Sequence, residues 1–276
     1  MKKLKSFIRL FIPPIVFILF YHFKSKDIQF QKTNLSWEDA YKETAKGYSA
    51  ENILIKCRDS LLKVKNGEYP YERDSVLFTE KELFYPLLSS LFYISMENDK
   101  HLNIIDFGGS LGSTYFQNRD ILKKAGIKIN WNIIEQECFV KCGKESFTDN
   151  ELKFYFNMDE VINGKSKIDV CLFSSVLPYL KEPYAVFEII KRYNIKYVII
   201  DRTFFLEDEI EDILTIQNVP PEIYNASYPA WFLSLDKFIS YINKYYDIVL
   251  KWQALDQHQL NNHKTIGLGF LLEAIK

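Results

Sequence analysis

Cysteine, histidine and glycine are all scarce in this chain, and each shortage removes a class of explanation. The four cysteines, Cys57, Cys138, Cys142 and Cys171, form no Cys-x-x-Cys pair, and the four histidines, His22, His101, His258 and His263, are scattered. Neither a disulfide framework nor a zinc site is favoured, and no metal is expected. Cys138 and Cys142 stand one helical turn apart, the spacing of two small residues on one helix face. A reducing cytoplasm fits this cysteine usage. Net charge is also nearly absent: 35 Lys and Arg against 36 Asp and Glu give −1. No general electrostatic argument for nucleic acid follows, since such partners usually meet a basic face or stripe. Internal repeats, low-complexity tracts and long linkers are missing too.

What is present is ordinary globular composition, 47% hydrophobic and 26% charged, with 22 Phe and 18 Tyr able to fill a large core. Three stretches are expected: residues 1–25 as a basic and apolar helix, 26–100 as a helical cap, and 101–276 as the main domain. The opening "MKKLKSFIRLFIPPIVFILFYHFKSK" carries an apolar stretch from Leu10 to Phe23, broken by Pro13 and Pro14. It is shorter than the ~20 residues of a spanning helix, and no small-residue cleavage site follows it, so export is not expected. Two readings stay open. One is an interfacial anchor with Lys2, Lys3, Lys5, Lys24 and Lys26 near anionic headgroups, which would hold the protein on the inner face of the cytoplasmic membrane. The other is a hydrophobic helix packed on the protein's own core or a partner.

Three helices are expected next. Ser36 offers an N-cap with Asp39 three residues on, and Gly47 a stop. Ser49 opens a second, with Ile53, Cys57 and Leu61 on one face and Gly67 ending it. Thr79 with Glu82 reads as the capping box of a third. From residue 102 the pattern becomes strand and helix in alternation. Residues 102–107, 129–135, 152–157, 168–175 and 196–201 are strand-like, with helical segments such as "STYFQNRDILKKAG" and "EPYAVFEIIKRYN" between them. That alternation predicts an α/β fold, a doubly wound and mostly parallel sheet covered on both faces. Residues 247–252 and 266–275 have no long helix between them and predict an antiparallel hairpin at the sheet edge.

In such a sheet the ligand sits beyond the carboxyl ends of the strands, at the turn where strand order reverses. The turn after the first strand is "IIDFGGSLGS", Ile104 to Ser113, which holds three of the chain's ten glycines. It matches neither Gly-x-Gly-x-x-Gly nor Gly-x-x-x-x-Gly-Lys. Instead it reads Asp-x-Gly-x-x-x-Gly. This resembles the first motif of class I S-adenosylmethionine-dependent methyltransferases, Asp/Glu-x-Gly-x-Gly-x-Gly, with Ser110 where the middle glycine usually stands. Further phrases, "YERDSVLF", "SSVLPYL", "DRTFF" and "ASYPAWFLS", look like a family of methyltransferases encoded among bacterial surface-polysaccharide genes.

The resemblance implies S-adenosylmethionine as cofactor, held by Asp106, Gly108, Gly109, Ser110 and Gly112. It implies Glu135, at the end of the second strand, on the ribose hydroxyls, Asn157 and Asp159 near the adenine, and Ser174 and Ser175 beside the methionine part. For the acceptor, a nucleotide-sugar or lipid-linked saccharide, Asp201 is the candidate general base and Arg202 the candidate anion holder, or the two form a structural ion pair. Tyr228 and Trp231 lie where related enzymes build a lid and either stack on a sugar or pack; Glu72, Arg73 and Asp74 are further contacts. Two competing readings are a nucleotide-sugar oxidoreductase or epimerase, and a catalytically silent scaffold at the membrane.

Overall fold

The computed structural model describes residues 28–44, 51–164, 167–220 and 226–275. The expected N-terminal helix, Gly47 and Ser49 lie outside these residues. The described chain opens with a strand, β1 (Gln29–Lys32), followed by α1 (Trp37–Glu43) and α2 (Glu51–Lys65). Ser36 caps α1 as expected, its side chain accepting from the Asp39 N–H. In α2, Ile53 and Leu61 are buried and Cys57 is half-buried, while Gly67 takes the left-handed φ of 79° just after the helix.

A small hairpin, β2 (Tyr71–Arg73) and β3 (Val76–Phe78), then precedes α3 (Tyr85–Glu97). The capping box expected at Thr79 and Glu82 does not form. Helix α3 starts only at Tyr85, with Phe84 as a cap that makes no side-chain bond. Pro86 decides the start, because its fixed φ suits a first helical turn and it lacks the N–H that a helix interior requires. The Glu82 carbonyl instead accepts from Gln117 Nε2 at 2.8 Å. The stretch read as helices alone thus also carries three strands.

The alternation beyond residue 100 is β4 (His101–Phe107), α4 (Ser113–Lys124), β5 (Lys128–Ile134), α5 (Glu137–Ser146), β6 (Leu152–Tyr155), α6 (Met158–Ile162), β7 (Val170–Ser174), α7 (Ala185–Arg192) and β8 (Tyr197–Leu206). There follow β9 (Ile213–Val219), β10 (Ala226–Ser234), α8 (Leu235–Ile242), β11 (Tyr246–Gln253) and β12 (Thr265–Ala274). Strands β6, β5, β4, β7 and β8 lie side by side and parallel in that order. Antiparallel to β8 comes β12, and β11 pairs antiparallel on the far side of β12. The expected doubly wound sheet with an antiparallel C-terminal edge is therefore observed.

Alternation along the strands sends side chains to opposite faces. Leu102, Ile104, Trp131 and Ile133 join α2 to α5 in one buried cluster, whereas Ile105, Ile134, Phe173 and Ile200 join α6, α7 and α8 in another. The sheet is also larger than expected. Strand β8 runs on to Leu206, where two register pairs, Leu233 with Phe205 and Ser234 with Leu206, join it to β10. Through β10 it carries an accessory antiparallel wall, β10–β9–β1. Phe30, Phe204 and Phe232 pack edge-on or tilted beneath that wall, with centroids 4.6 to 5.3 Å apart.

Candidate active site

Strand order reverses between β4 and β7, and a cleft of about 1000 Å³ opens beyond their carboxyl ends. One end is built by the glycine turn. Asp106 closes β4 with 1% exposure, and the Trp131 indole of the neighbouring β5 donates to its Oδ2 at 2.8 Å. Its other oxygen, Oδ1, is buried without a hydrogen-bond partner. Burial pushes the Asp106 carboxyl up to about 7, against the opposing pull of the Trp131 bond. Gly109 lies directly over it: a Cβ there would stand 2.5 Å from the Asp106 Cγ. The close approach is the reason this position must be glycine.

Ser110 does what the missing glycine would do, adopting φ 53°, between Gly108 at 71° and Gly112 at 105°. Such a conformation costs a non-glycine residue about 1 kcal/mol or more, so the turn's shape is kept at an expense the surroundings offset. Glu135 lies just past β5, its carboxylate accepting from the Ser110 N–H at 3.3 Å and from the Gln136 N–H at 2.7 Å. Burial pushes it up to about 7, with those two backbone bonds opposing and the Asp106 charge adding to the rise. Neither Asp106 nor Glu135 has a cationic side-chain partner among the described residues.

Asn157, Asp159, Ser174 and Ser175 all line the same cleft. Asn157 Oδ1 is already used, however, as the cap of α6, accepting from the Glu160 N–H at 3.0 Å. Asp159 accepts from the Tyr193 hydroxyl.

The other end of the cleft is built by the β2–β3 hairpin, the accessory wall and the end of β8. Asp201 is 2% exposed, and Trp252 Nε1 donates to its Oδ1 at 2.9 Å. Burial raises its proton affinity, partly opposed by that bond. The Trp252 indole reaches Asp201 across β12, possible because the intervening residue is Gly269, where a Cβ would meet Trp252 Nε1 at 2.1 Å. At the same place the register of β8 slips, with Leu268 opposite Thr203 and Phe270 opposite Ile200. This bulge takes Asp201 and Arg202 out of the regular ladder, and Arg202 sits at φ 52°.

Of the two expectations for Arg202, a hold on an anionic acceptor or a structural ion pair, its contacts favour the ion pair, made with Asp74 and Asp256 and not with Asp201. Its Nη2 bonds Asp74 at 2.6 Å and its Nε bonds Asp256, with the Arg202 side chain only 17% exposed. A guanidinium clamped between two carboxylates has little charge left to attract a third anion. It serves to tie the hairpin turn to the loop after β11. Glu72, 3% exposed, accepts from the Ser113 hydroxyl at the start of α4 and from the Ser75 N–H at 3.0 Å, and burial raises its proton affinity.

Tyr228 faces the cleft from β10, edge-on to Tyr179 at 5.4 Å, with Gln217 Nε2 donating to its hydroxyl at 3.4 Å. Trp231 does not line the cleft but stacks on Trp37, 5.8 Å apart and 15° from coplanar. The segment "ASYPAWFLS" is accordingly a paired strand of the wall, not a separate lid over it.

No protein-family model matches the sequence, and no curated protein matches it either. Solved structures do show likeness. The N-terminal domain of EvdMO1, solved in the presence of SAH and D-fucose, is 12% identical at a TM-score of 0.46, the match covering 83% of this chain and 99% of that one. The magnesium protoporphyrin IX methyltransferase of Synechocystis PCC 6803, with bound SAM, is 12% identical at 0.42, over 83% and 99%. A protein described as a pericyclic reaction enzyme is 8% identical at 0.47, over 71% of this chain and 49% of its own. With every score below 0.5, these likenesses assign no chemistry to this chain.

Several residues in the cleft or bonded to its walls carry no local sequence signal. Trp131, Asp256 and Gln217 reach it only through pairing partners 25 to 54 residues away. Trp252 had one legible hint, a tryptophan in one predicted edge strand and a glycine inside the other. No group of His, Cys, Asp and Glu suited to a metal occurs among the described residues.

Proposed function

We propose that this chain is an S-adenosylmethionine-dependent methyltransferase that modifies a sugar or a sugar-containing intermediate of surface-polysaccharide biosynthesis. The observation that carries the cofactor assignment is the pair of buried carboxylates, Asp106 and Glu135, that flank a glycine turn with no cationic side chain beside them among the described residues. Asp106 Oδ1, orphaned in the cleft wall, and the tight curl over Gly109 suit a ligand that is itself cationic and must approach backbone closely. A sulfonium cofactor has that charge. Glu135, with two acceptor oxygens beside the turn, suits a pair of ribose hydroxyls.

When bound, the cofactor supplies an already activated methyl group. The chain's own residues then orient, dehydrate and deprotonate. The glycine turn and Glu135 orient the ligand, the cleft walls exclude water, and a carboxylate takes the acceptor's proton. Asp201 suits that last role, because burial favours its protonated form and Trp252 fixes its orientation. Tyr228 and Tyr179 offer aromatic faces to a sugar ring at the acceptor end. The Gly-x-Gly-x-x-Gly turn of a dinucleotide site has no counterpart in this cleft.

Titration calorimetry of the folded protein with S-adenosylmethionine tests the cofactor, and Glu135→Gln should weaken binding without unfolding the chain. Failure of the wild type to bind, or tight binding of a dinucleotide instead, would sink the proposal. Incubation with labelled cofactor and candidate nucleotide-sugars or lipid-linked saccharides then tests the acceptor.

A further inference from the structure

The mouth of the cleft at its acceptor end is unusually apolar for a surface built around ion pairs. Val76, in β3, is 50% exposed, and Leu255, just after β11, is 47% exposed; both line the cleft. Each stands within two residues of a carboxylate bound to Arg202, Asp74 for Val76 and Asp256 for Leu255, so the same clamp that joins hairpin and loop holds both side chains at one rim. Tyr41, 52% exposed on α1, lines the cleft as well, one helical turn beyond Trp37. Ile28, where the described chain begins, is a further lining residue. Only two residues before it is Lys26, the end of the lysine-flanked apolar stretch of Leu10 to Phe23. Four residues lie between Phe23 and Ile28, and the five Cα steps reach at most ~18 Å. An apolar stretch with lysines at both ends has the composition that partitions to an anionic lipid interface, and it joins the described chain at Ile28, which lines the same cleft.

We infer that the rim formed by Tyr41, Val76 and Leu255 is a docking surface for an anionic lipid bilayer, so that the cleft opens onto the membrane. Apolar side chains around an opening lose water when pressed into the headgroup region, while the two carboxylates between them, Asp74 and Asp256, are countered by Arg202 and, at Asp256, by Arg73 as well. The inference stands apart from the chemistry of the cleft, because it concerns the surface around it.

Flotation of the full chain with phosphatidylcholine vesicles containing one-third phosphatidylglycerol tests it. The double variant Val76→Asp/Leu255→Asp changes two exposed positions and should lower the partition coefficient about tenfold or more. Ile210→Asp, at a 78% exposed position that does not line the cleft, should leave it unchanged. The melting temperature and circular dichroism of the same samples should match those of the wild type, which separates loss of docking from loss of fold. If the wild type does not float, or the rim variant floats as the wild type does, the inference is overturned; the second result would mean that the N-terminal stretch alone binds lipid or itself covers the rim.

Discussion

Acidification should weaken cofactor binding steeply, and the size of the effect follows from Asp106 and Glu135. Both carboxyls are pushed up to about 7 by burial. At pH 5.5 each is therefore mostly protonated in the free protein. A cationic ligand placed beside them favours their ionised forms, so binding releases protons and affinity rises with pH. For one group of pKa near 7 that ionises fully on binding, the gain between pH 5.5 and 7 is roughly 15-fold. Two groups would multiply this, but their mutual repulsion keeps the product below its ideal value of ~200. The useful window ends near pH 7, because the ligand's own α-amino group titrates close to 8.

Calorimetry at pH 5.5, 6.2 and 7, in two buffers of different ionisation enthalpy, reads both the affinity and the protons released. An affinity change below twofold, or proton uptake, would refute the reasoning. Glu135→Gln should reduce the slope to that of one group. The sign reverses for the free protein's stability. Stabilisation from carboxyls whose folded pKa is raised is complete below the ordinary carboxylate range and is lost as pH rises through about 7. The unliganded melting temperature should thus fall from pH 5 to 8.

Gly109→Ala should cost about 1–3 kcal/mol, since the new Cβ meets a carboxylate that is itself buried and pinned. Urea unfolding measures it, and in an Asp106→Ala background most of the cost should vanish. Arg202→Ala should destabilise near the lower end of the ~3–5 kcal/mol typical of a broken buried pair, because Asp256 is 23% exposed and keeps the weaker pull of Arg73. Arg202→Gly should be about 1 kcal/mol less damaging than Arg202→Ala, since glycine accepts the positive φ freely; equal losses would argue against strain at the bulge. Trp252→Phe removes the donor to a buried Asp201 oxygen and should cost about 1–3 kcal/mol, read by the same unfolding assay, with a cost under about 0.5 kcal/mol counting against that bond.

The central sheet was readable because its strands are buried on both faces and separated by periodic helices. "LNIIDF" and "INWNIIE" each begin within a residue of the strand observed. The accessory wall was not readable. Strand β9 follows the acidic run "LEDEIEDI", which reads as a surface loop, and β8 gives no sign that it continues past Asp201 to pair with β10. Tertiary pairing, not local propensity, makes these strands. The glycine turn and Glu135 were found because motif spacing is local information. The choice between the two readings of Arg202 was not legible for the opposite reason: its partners, Asp74 and Asp256, lie 128 and 54 residues away in sequence, and whether a charge is free depends on them.

Strand β8 belongs to two structures at once. Its first half sits in the parallel sheet that forms the glycine-turn end, and its strand-pairing joint to the wall at the other end of the cleft is only two residue pairs wide, backed by Phe204 packed against Phe30 and Phe232. A joint that narrow lets the wall diverge in sequence, or be exchanged, while the ladder behind Asp106 stays intact. Chains sharing this sheet would then be expected to keep the region around residues 101–135 and to vary most along β1, β9 and β10. Altering the acceptor preference by grafting a different wall after Leu206 is a practical route that this architecture leaves open.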